Sequence, residues 1–157
     1  MSLTLQILWG SGFLGVCLML HTFFLAVCVD WLGKVAFSLK KYHSAVRVSV
    51  MICLALWIIV LAHTVQVWIW AVVWMHDDVL ANWNEAIYFS LVTYTSLGYG
   101  DIVLPPQYRV FAAFASVTGL LGFGLSTALL VALMGRLMIF VPKERPLDLD
   151  QPPASKR

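Results

Sequence analysis

Charged residues divide the chain into three long stretches without charge and the polar segments that separate them. The uncharged stretches cover residues 1–29, 48–76 and 110–135. A helix needs about 20 apolar residues to cross the hydrocarbon core of a bilayer, and each stretch exceeds that length. Because backbone polar groups in lipid must be satisfied within the segment itself, each stretch is expected to be helical. The pattern therefore predicts three spanning helices, near 5–29, 45–75 and 109–139.

The segment between the last two spans begins with the signal for a further helix. Asn82 followed by Glu85 fits a variant of the capping box. The apolar run 83–95 follows, and as a helix it extends only about 20 Å. That length is too short to cross a hydrocarbon core of about 30 Å, so we expect a re-entrant helix.

An irregular loop is expected directly after the re-entrant helix. Gly98 and Gly100 flank a single residue, which allows backbone conformations with positive φ. Pro105-Pro106 is expected to stop regular structure before the last span. Irregular backbone at membrane depth persists only where protein or a water-filled cavity surrounds it. Several copies of the chain around one axis would provide such surroundings.

Composition also places the chain in the lipid bilayer. Of its 157 residues, 61% are hydrophobic and 11% are charged, whereas soluble domains have about 45–50% apolar and about 25% charged residues. This difference excludes a soluble globular domain. A net charge of +2 is too small to indicate a nucleic-acid partner. Cys17, Cys28 and Cys53 lie in apolar stretches without metal-ligand spacing, so we interpret them as small buried hydrophobic residues and expect no cofactor.

The distribution of Lys and Arg predicts the orientation of the spans. The 30–47 loop and the start of the tail are basic, so both are expected on the cytoplasmic side of an inner (plasma) membrane. The N-terminus has no basic residue and is expected outside, together with the 77–109 segment. The tail 142–157 is rich in proline and charge, and we expect it to be disordered.

The segment from Thr93 to Asp101, TYTSLGYGD, resembles the signature of potassium channels. Ala86–Ser90 resembles the pore helix of the small bacterial two-helix potassium channels. Arg109, Gly119 and Phe123–Ala128 resemble their inner helix, and the similarity covers about residues 50–135.

The resemblance implies an all-α membrane protein with the tetrameric potassium-channel pore architecture. Residues 1–43 would be an additional N-terminal transmembrane helix with its basic cytoplasmic loop. The pore domain would cover 44–141, and the tail 142–157 would follow it. Within the pore domain we expect an outer helix, a pore helix, a filter and an inner helix, at 45–75, 83–95, 96–101 and 109–139.

The resemblance also implies an ion-binding site made of backbone carbonyls. In a homotetramer, the ion-binding selectivity filter would be Ser96, Leu97, Gly98, Tyr99 and Gly100, and K⁺ would bind to the carbonyls of the first four. Members of the family usually carry Thr and then Val or Ile where this chain has Ser96 and Leu97, so we expect a looser innermost site. Filter support would come from Tyr88, Thr95 and Asp101, with Tyr88 donating a hydrogen bond to the Asp101 carboxylate.

The inner helix carries the residues that the resemblance assigns to the cavity and the gate. Gly119 matches the hinge glycine of the family, but close helix packing is an equal alternative for this residue. For Gly122 and Gly124 we favour packing. The residues that match cavity-lining positions are Leu120, Phe123, Thr127 and Val131.

Polar residues inside the spans form a second group of candidates. His63, Gln66 and Trp70 lie at i, i+3 and i+7 and so share a helix face. They indicate either a functional site or hydrogen bonds to a neighbouring helix. His21 in the first span presents the same choice. The first span also contains Ser11, Gly12 and Gly15, a small-residue face expected to pack against the pore.

The function expected from these residues is passive, K⁺-selective transport through a tetrameric pore. The alternatives are a weakly selective cation channel and a non-conducting membrane subunit that modulates a partner. A membrane enzyme is not expected, because the sequence contains no nucleophile, base and orienting group that belong together. A voltage sensor of the usual kind is excluded, since no basic residue recurs at every third position.

Overall fold

The computed structural model describes residues 2–138, and these residues form four α-helices. They are α1 (Leu3–Ser38), α2 (Ser44–His76), α3 (Trp83–Tyr94) and α4 (Pro106–Met138), with a short 3-10 turn at Leu39–Lys41. Helices α1, α2 and α4 are long and apolar enough to cross a membrane. The chain is therefore an all-α, multi-pass membrane protein, as the uncharged stretches predict. The expected disordered tail, 142–157, lies outside the described residues.

Helix α1 is longer than the sequence pattern predicts. It continues to Ser38, nine residues past the predicted end at residue 29. The prediction was wrong because charged residues end a membrane-buried stretch without ending a helix. Asp30 and Lys34 lie on consecutive turns, with the Lys34 Nζ atom 2.6 Å from Asp30 Oδ2, an arrangement that favours helix.

Helix α4 begins earlier than expected, at a proline. Pro106 is its first residue, whereas the two prolines at 105–106 predict an end to regular structure there. The first helical position needs no backbone N–H, and proline already has a helical φ there. Helix α2 begins and ends within one residue of the predicted 45–75.

The first helix packs against both of the other spanning helices. Gly10 of α1 lies so close to Phe114 of α4 that a Cβ atom at position 10 would be 2.2 Å from the Phe114 ring. Gly12 and Gly15 have open space around their Cα atoms within this chain. The packing of α1 thus depends on a glycine outside the small-residue face that the sequence suggested.

An aromatic core lies where α1, α2, α3 and α4 come together. Trp70 stacks on Trp74, with ring centroids 5.7 Å apart, and Phe111 of α4 contacts both rings. Phe89 of α3 meets Trp74 edge to face. This core holds the short helix α3 between α2 and α4.

Candidate functional site

Helix α3 begins where the sequence predicts, and side chains cap it. The Asn82 side chain accepts a hydrogen bond from the Glu85 backbone N–H over 2.9 Å, and its amide donates to the Glu85 carboxylate over 3.1 Å. The helix has 12 residues, which corresponds to about 18 Å. It is therefore too short to cross the membrane.

The loop after α3 folds back onto the end of that helix. The backbone N–H groups of Leu97 and Gly98 both donate to the Val92 carbonyl, over 2.9 and 3.3 Å. The Ser96 N–H donates to the Thr93 carbonyl over 3.0 Å. These bonds fix the start of the loop relative to α3.

The backbone of this loop has positive φ at every second residue. The φ angles are 58° at Ser96, 55° at Gly98 and 80° at Gly100, and Leu97 and Tyr99 between them have no positive φ. Serine adopts positive φ only rarely. A Cβ atom at either glycine would meet nothing within 4 Å in this chain, so backbone conformation, and not space, favours glycine there.

A hydrogen bond joins α3 to the residue that follows the loop. The Tyr88 hydroxyl donates to the Asp101 carboxylate over 2.6 Å, which is the contact that the family resemblance implies. This bond lowers the pKa of Asp101 below its usual range. It also raises the pKa of Tyr88, which therefore remains a donor at neutral pH. The Thr95 hydroxyl, directly after α3, donates to the Leu91 carbonyl of that helix over 2.7 Å.

We predict that Tyr88→Phe lowers thermal stability at neutral pH and that this difference disappears in acid. The pKa of Asp101 is lower in the folded protein than in the unfolded chain. The stabilisation is therefore fully present above the unfolded pKa of the carboxyl and is lost as pH falls through the folded pKa. Melting temperatures from neutral pH to below pH ~4 would measure the difference between the wild type and the variant. Tyr42→Phe, in the turn after α1, is the control, and a Tyr88→Phe difference that is constant with pH would contradict the prediction.

Gly119 of α4 lies directly against the end of α3. A Cβ atom at this position would be 1.8 Å from the Tyr94 carbonyl oxygen, and α4 is a continuous helix through Gly119. In this structure Gly119 therefore serves close packing, one of the two alternatives that the sequence left open. A Cβ at Gly122 would lie 3.2 Å from the Tyr94 hydroxyl, whereas at Gly124 it would meet nothing within 4 Å.

The residues assigned to the cavity and gate lie on exposed parts of α4. Leu120 is 68% exposed and Val131 is 67% exposed, so other helices of this chain do not cover them. Thr127 is also exposed, and its hydroxyl donates to the Phe123 carbonyl over 2.8 Å. Phe123 additionally stacks on His63, with ring centroids 4.4 Å apart, a contact that the sequence did not indicate.

The polar residues of the first two spans bond to neighbouring helices. His63 lies 2.8 Å from the Tyr94 hydroxyl of α3, and Gln66 lies 2.7 Å from His21 of α1. This is one of the two interpretations that the sequence allowed. Trp70 belongs to the aromatic core instead.

The sequence did not indicate the role of two further residues. Ser126 of α4 bonds both His21 and His63, over 3.0 and 3.2 Å. Gln6 of α1 accepts hydrogen bonds from the first turns of α4, at the N–H groups of Val110 and Phe111. Only the polarity of Gln6 and Ser126 within apolar stretches could have identified them.

Backbone carbonyls are the candidate ion ligands of this site. Within residues 2–138, no group of three or more His, Cys, Asp or Glu side chains is placed to hold a metal ion.

Residues 50–136 match a family model described as "Ion channel". The match covers more than half of the chain and includes α3, the loop, most of α2 and nearly all of α4, but not α1. No curated protein and no solved structure matches the chain.

Proposed function

We propose, from the premise that the chain belongs to this ion channel family, that it is a K⁺-selective channel. Four copies would surround one pore, and residues 96–100 of each copy would form the selectivity filter. The observation that carries this proposal is the alternation of positive φ at Ser96, Gly98 and Gly100.

The alternation matters because it changes the direction of the carbonyl groups. In a regular strand, successive residues point to opposite sides. Where left-handed residues alternate with residues of negative φ, successive N–H groups turn to one side and the carbonyls turn to the other. A row of carbonyls on one side, repeated around an axis, can replace the hydration shell of a cation.

One chain contributes only one such row, so the proposed site requires several copies. Leu97 and Tyr99 are mostly exposed in the single chain, which supports neighbours on both sides of the loop. The C-terminal end of α3 carries the negative end of the helix dipole, which favours a cation in the cavity behind the filter. Leu120, Phe123, Thr127 and Val131 would line that cavity.

The serine at position 96, where the family usually has threonine, favours the second candidate, a cation channel of weak selectivity. Its hydroxyl is retained at the innermost site, but serine lacks the second Cβ substituent that restricts the rotamer of threonine. Tyr99 and both glycines of the loop are present, so we favour K⁺ selectivity. A non-conducting modulatory subunit would have no use for the loop geometry described above.

The proposed channel lies in the inner (plasma) membrane with its N-terminus outside. The basic residues between α1 and α2 support this orientation. Asp77, Asp78, Glu85 and Asp101 would then surround the outer mouth and concentrate cations there.

Ion flux through the purified protein in liposomes tests the proposal. With equal gradients of K⁺ and then Na⁺, we expect flux with K⁺ and little with Na⁺. The detergent-corrected mass should be four times the 17.6 kDa of one chain. Protein-free liposomes are the control. Equal flux of both ions would favour the weakly selective channel, and a monomer or dimer would contradict the pore.

A further inference from the structure

Five polar side chains from four helices form a closed ring inside the protein. Its members are His21 of α1, His63 and Gln66 of α2, Tyr94 of α3 and Ser126 of α4. Four of them are almost fully buried, and His63 is partly buried. Polar groups at membrane depth are costly unless they are satisfied, and such residues indicate function by default.

The hydrogen bonds close without a gap. Starting at Gln66, the distances are 2.7 Å to His21 Nδ1, 3.0 Å from His21 Nε2 to Ser126, and 3.2 Å from Ser126 to His63 Nε2. The last two are 2.8 Å from His63 Nδ1 to the Tyr94 hydroxyl and 2.9 Å from that hydroxyl back to Gln66 Oε1. Each imidazole and the Gln66 amide bond through two of their atoms, and each hydroxyl both donates and accepts.

With the Gln66 amide as placed, counting hydrogens fixes the direction of every bond. The Gln66 amide nitrogen can only donate, so His21 Nδ1 accepts and His21 Nε2 donates to Ser126. The Tyr94 hydroxyl donates to the Gln66 oxygen, so it accepts from His63 Nδ1. Ser126 then donates its own proton to His63 Nε2. All five bonds run in one sense around the ring.

The two histidines of the ring are opposite tautomers. His21 carries its proton on Nε2, and His63 carries its proton on Nδ1. Reversing every bond would require the Gln66 amide to turn over, and the two histidines would still be opposite tautomers. The closed ring requires both to be neutral: a doubly protonated His21 would face the Gln66 N–H donor, and a doubly protonated His63 would leave the Ser126 proton without an acceptor in the ring.

Tyr94 connects this ring to the loop that follows α3. Its carbonyl lies against Gly119 of α4, and it is followed directly by Thr95 and Ser96. The preceding carbonyl, that of Thr93, accepts from Ser116 of α4 over 2.8 Å and from the Ser96 N–H. The position of Tyr94 therefore determines where the loop begins.

We propose that the ring acts as one hydrogen-bonded unit that positions the inner end of the selectivity filter. His21 makes α1 part of this unit, although α1 lies outside the region that matches the family. The positioning role rests on the proposed channel function. The hydrogen-bonded cycle itself can be tested without it.

The ¹⁵N chemical shifts of the histidines in the full-length protein test the cycle. They distinguish Nδ1–H, Nε2–H and doubly protonated rings. In lipid nanodiscs near neutral pH, we expect one neutral tautomer for His21 and the opposite one for His63. Single His→Gln variants assign the signals. In Tyr94→Phe both histidine signals should change, although the two ring nitrogens of His21 bond Gln66 and Ser126 and not Tyr94. Equal tautomers, or a doubly protonated ring in the wild type, would overturn the cycle.

Flux through the same protein tests the positioning role. Tyr94→Phe and Ser126→Ala each remove a hydroxyl that makes two bonds of the ring. Each should lower the K⁺-to-Na⁺ flux ratio by at least about fivefold, the equivalent of about 1 kcal/mol, which is the net contribution of a single hydrogen bond. The matched control is Thr64→Val, which removes a hydroxyl next to His63 that bonds only the Val60 carbonyl of its own helix.

The outcomes separate the two proposals. If the tautomers are as expected but both variants keep the wild-type flux ratio, the positioning role is wrong. If the wild type passes no K⁺, the proposed function fails and the positioning role fails with it, while the histidine spectra still decide whether the cycle exists. A change in the Thr64→Val ratio as large as that in Ser126→Ala would also overturn the role of the ring.

Discussion

Gly119→Ala is expected to destabilise the folded protein by about 3 kcal/mol, at the upper end of what overpacking of a core usually costs. The added methyl would lie 1.8 Å from the Tyr94 carbonyl oxygen. That oxygen belongs to the backbone of a packed helix, so relief requires α3 and α4 to move apart. Alanine otherwise favours helix over glycine by about 1 kcal/mol, so a loss of stability would arise from the contact alone. The denaturant midpoint in detergent micelles measures the effect.

Gly124→Ala is the matched control for this prediction. It lies on the same helix, and a Cβ there meets nothing within 4 Å in this chain. We expect its stability to equal or exceed that of the wild type. If Gly119→Ala is as stable as Gly124→Ala and differs only in ion flux, Gly119 serves as a hinge and the packing interpretation is wrong.

The number and place of the membrane helices were predictable, because charge is the dominant penalty in lipid. Uncharged stretches identify the parts of the chain that lipid accepts, and α2 follows its stretch closely. Outside the lipid, charged residues do not end a helix. Lys34 can pair with Asp30 on a helix in water, so α1 continues where the uncharged stretch stops.

The loop after α3 was predictable in its place but not in its conformation. Gly98 and Gly100 indicated positive φ at two positions, and a family resemblance supplied the function proposed for the loop. Nothing in the sequence indicated that Ser96 also has positive φ. That conformation arises from the bonds of Ser96 and Leu97 to the last carbonyls of α3, which only the folded chain brings together.

The ring of polar side chains was the least predictable feature. His63 and Gln66 were identifiable as an intramembrane pair on one helix face. Ser126 lies 105 residues from His21. Tyr94 lies in an apolar run, and nothing in that run indicates that its hydroxyl has a polar partner. Helical periodicity places residues on faces of one helix, whereas the ring depends on how four helices pack.

Gly98→Ala is expected to reduce K⁺ flux by at least about tenfold. Gly98 has a φ of 55°, and an L-residue with a Cβ atom costs about 1–2 kcal/mol in the left-handed region. Four copies would carry this strain in one filter, so the total reaches about 4–8 kcal/mol for the assembled pore. A filter that relaxes from the strain turns a carbonyl away from the ion. Flux in liposomes with a K⁺ gradient measures the loss.

Within one chain, that loss can be assigned to φ and not to a clash. A Cβ at Gly98 would meet nothing within 4 Å of its own chain, and the same holds for Gly33 on α1, where the φ is not positive. Gly33→Ala is therefore expected to conduct like the wild type. The mass of the Gly98→Ala protein should remain that of a tetramer if the substitution acts on the filter alone. Wild-type flux through a tetrameric Gly98→Ala protein would mean that the carbonyls of this loop are not the ion ligands, and the proposed filter would have to be abandoned.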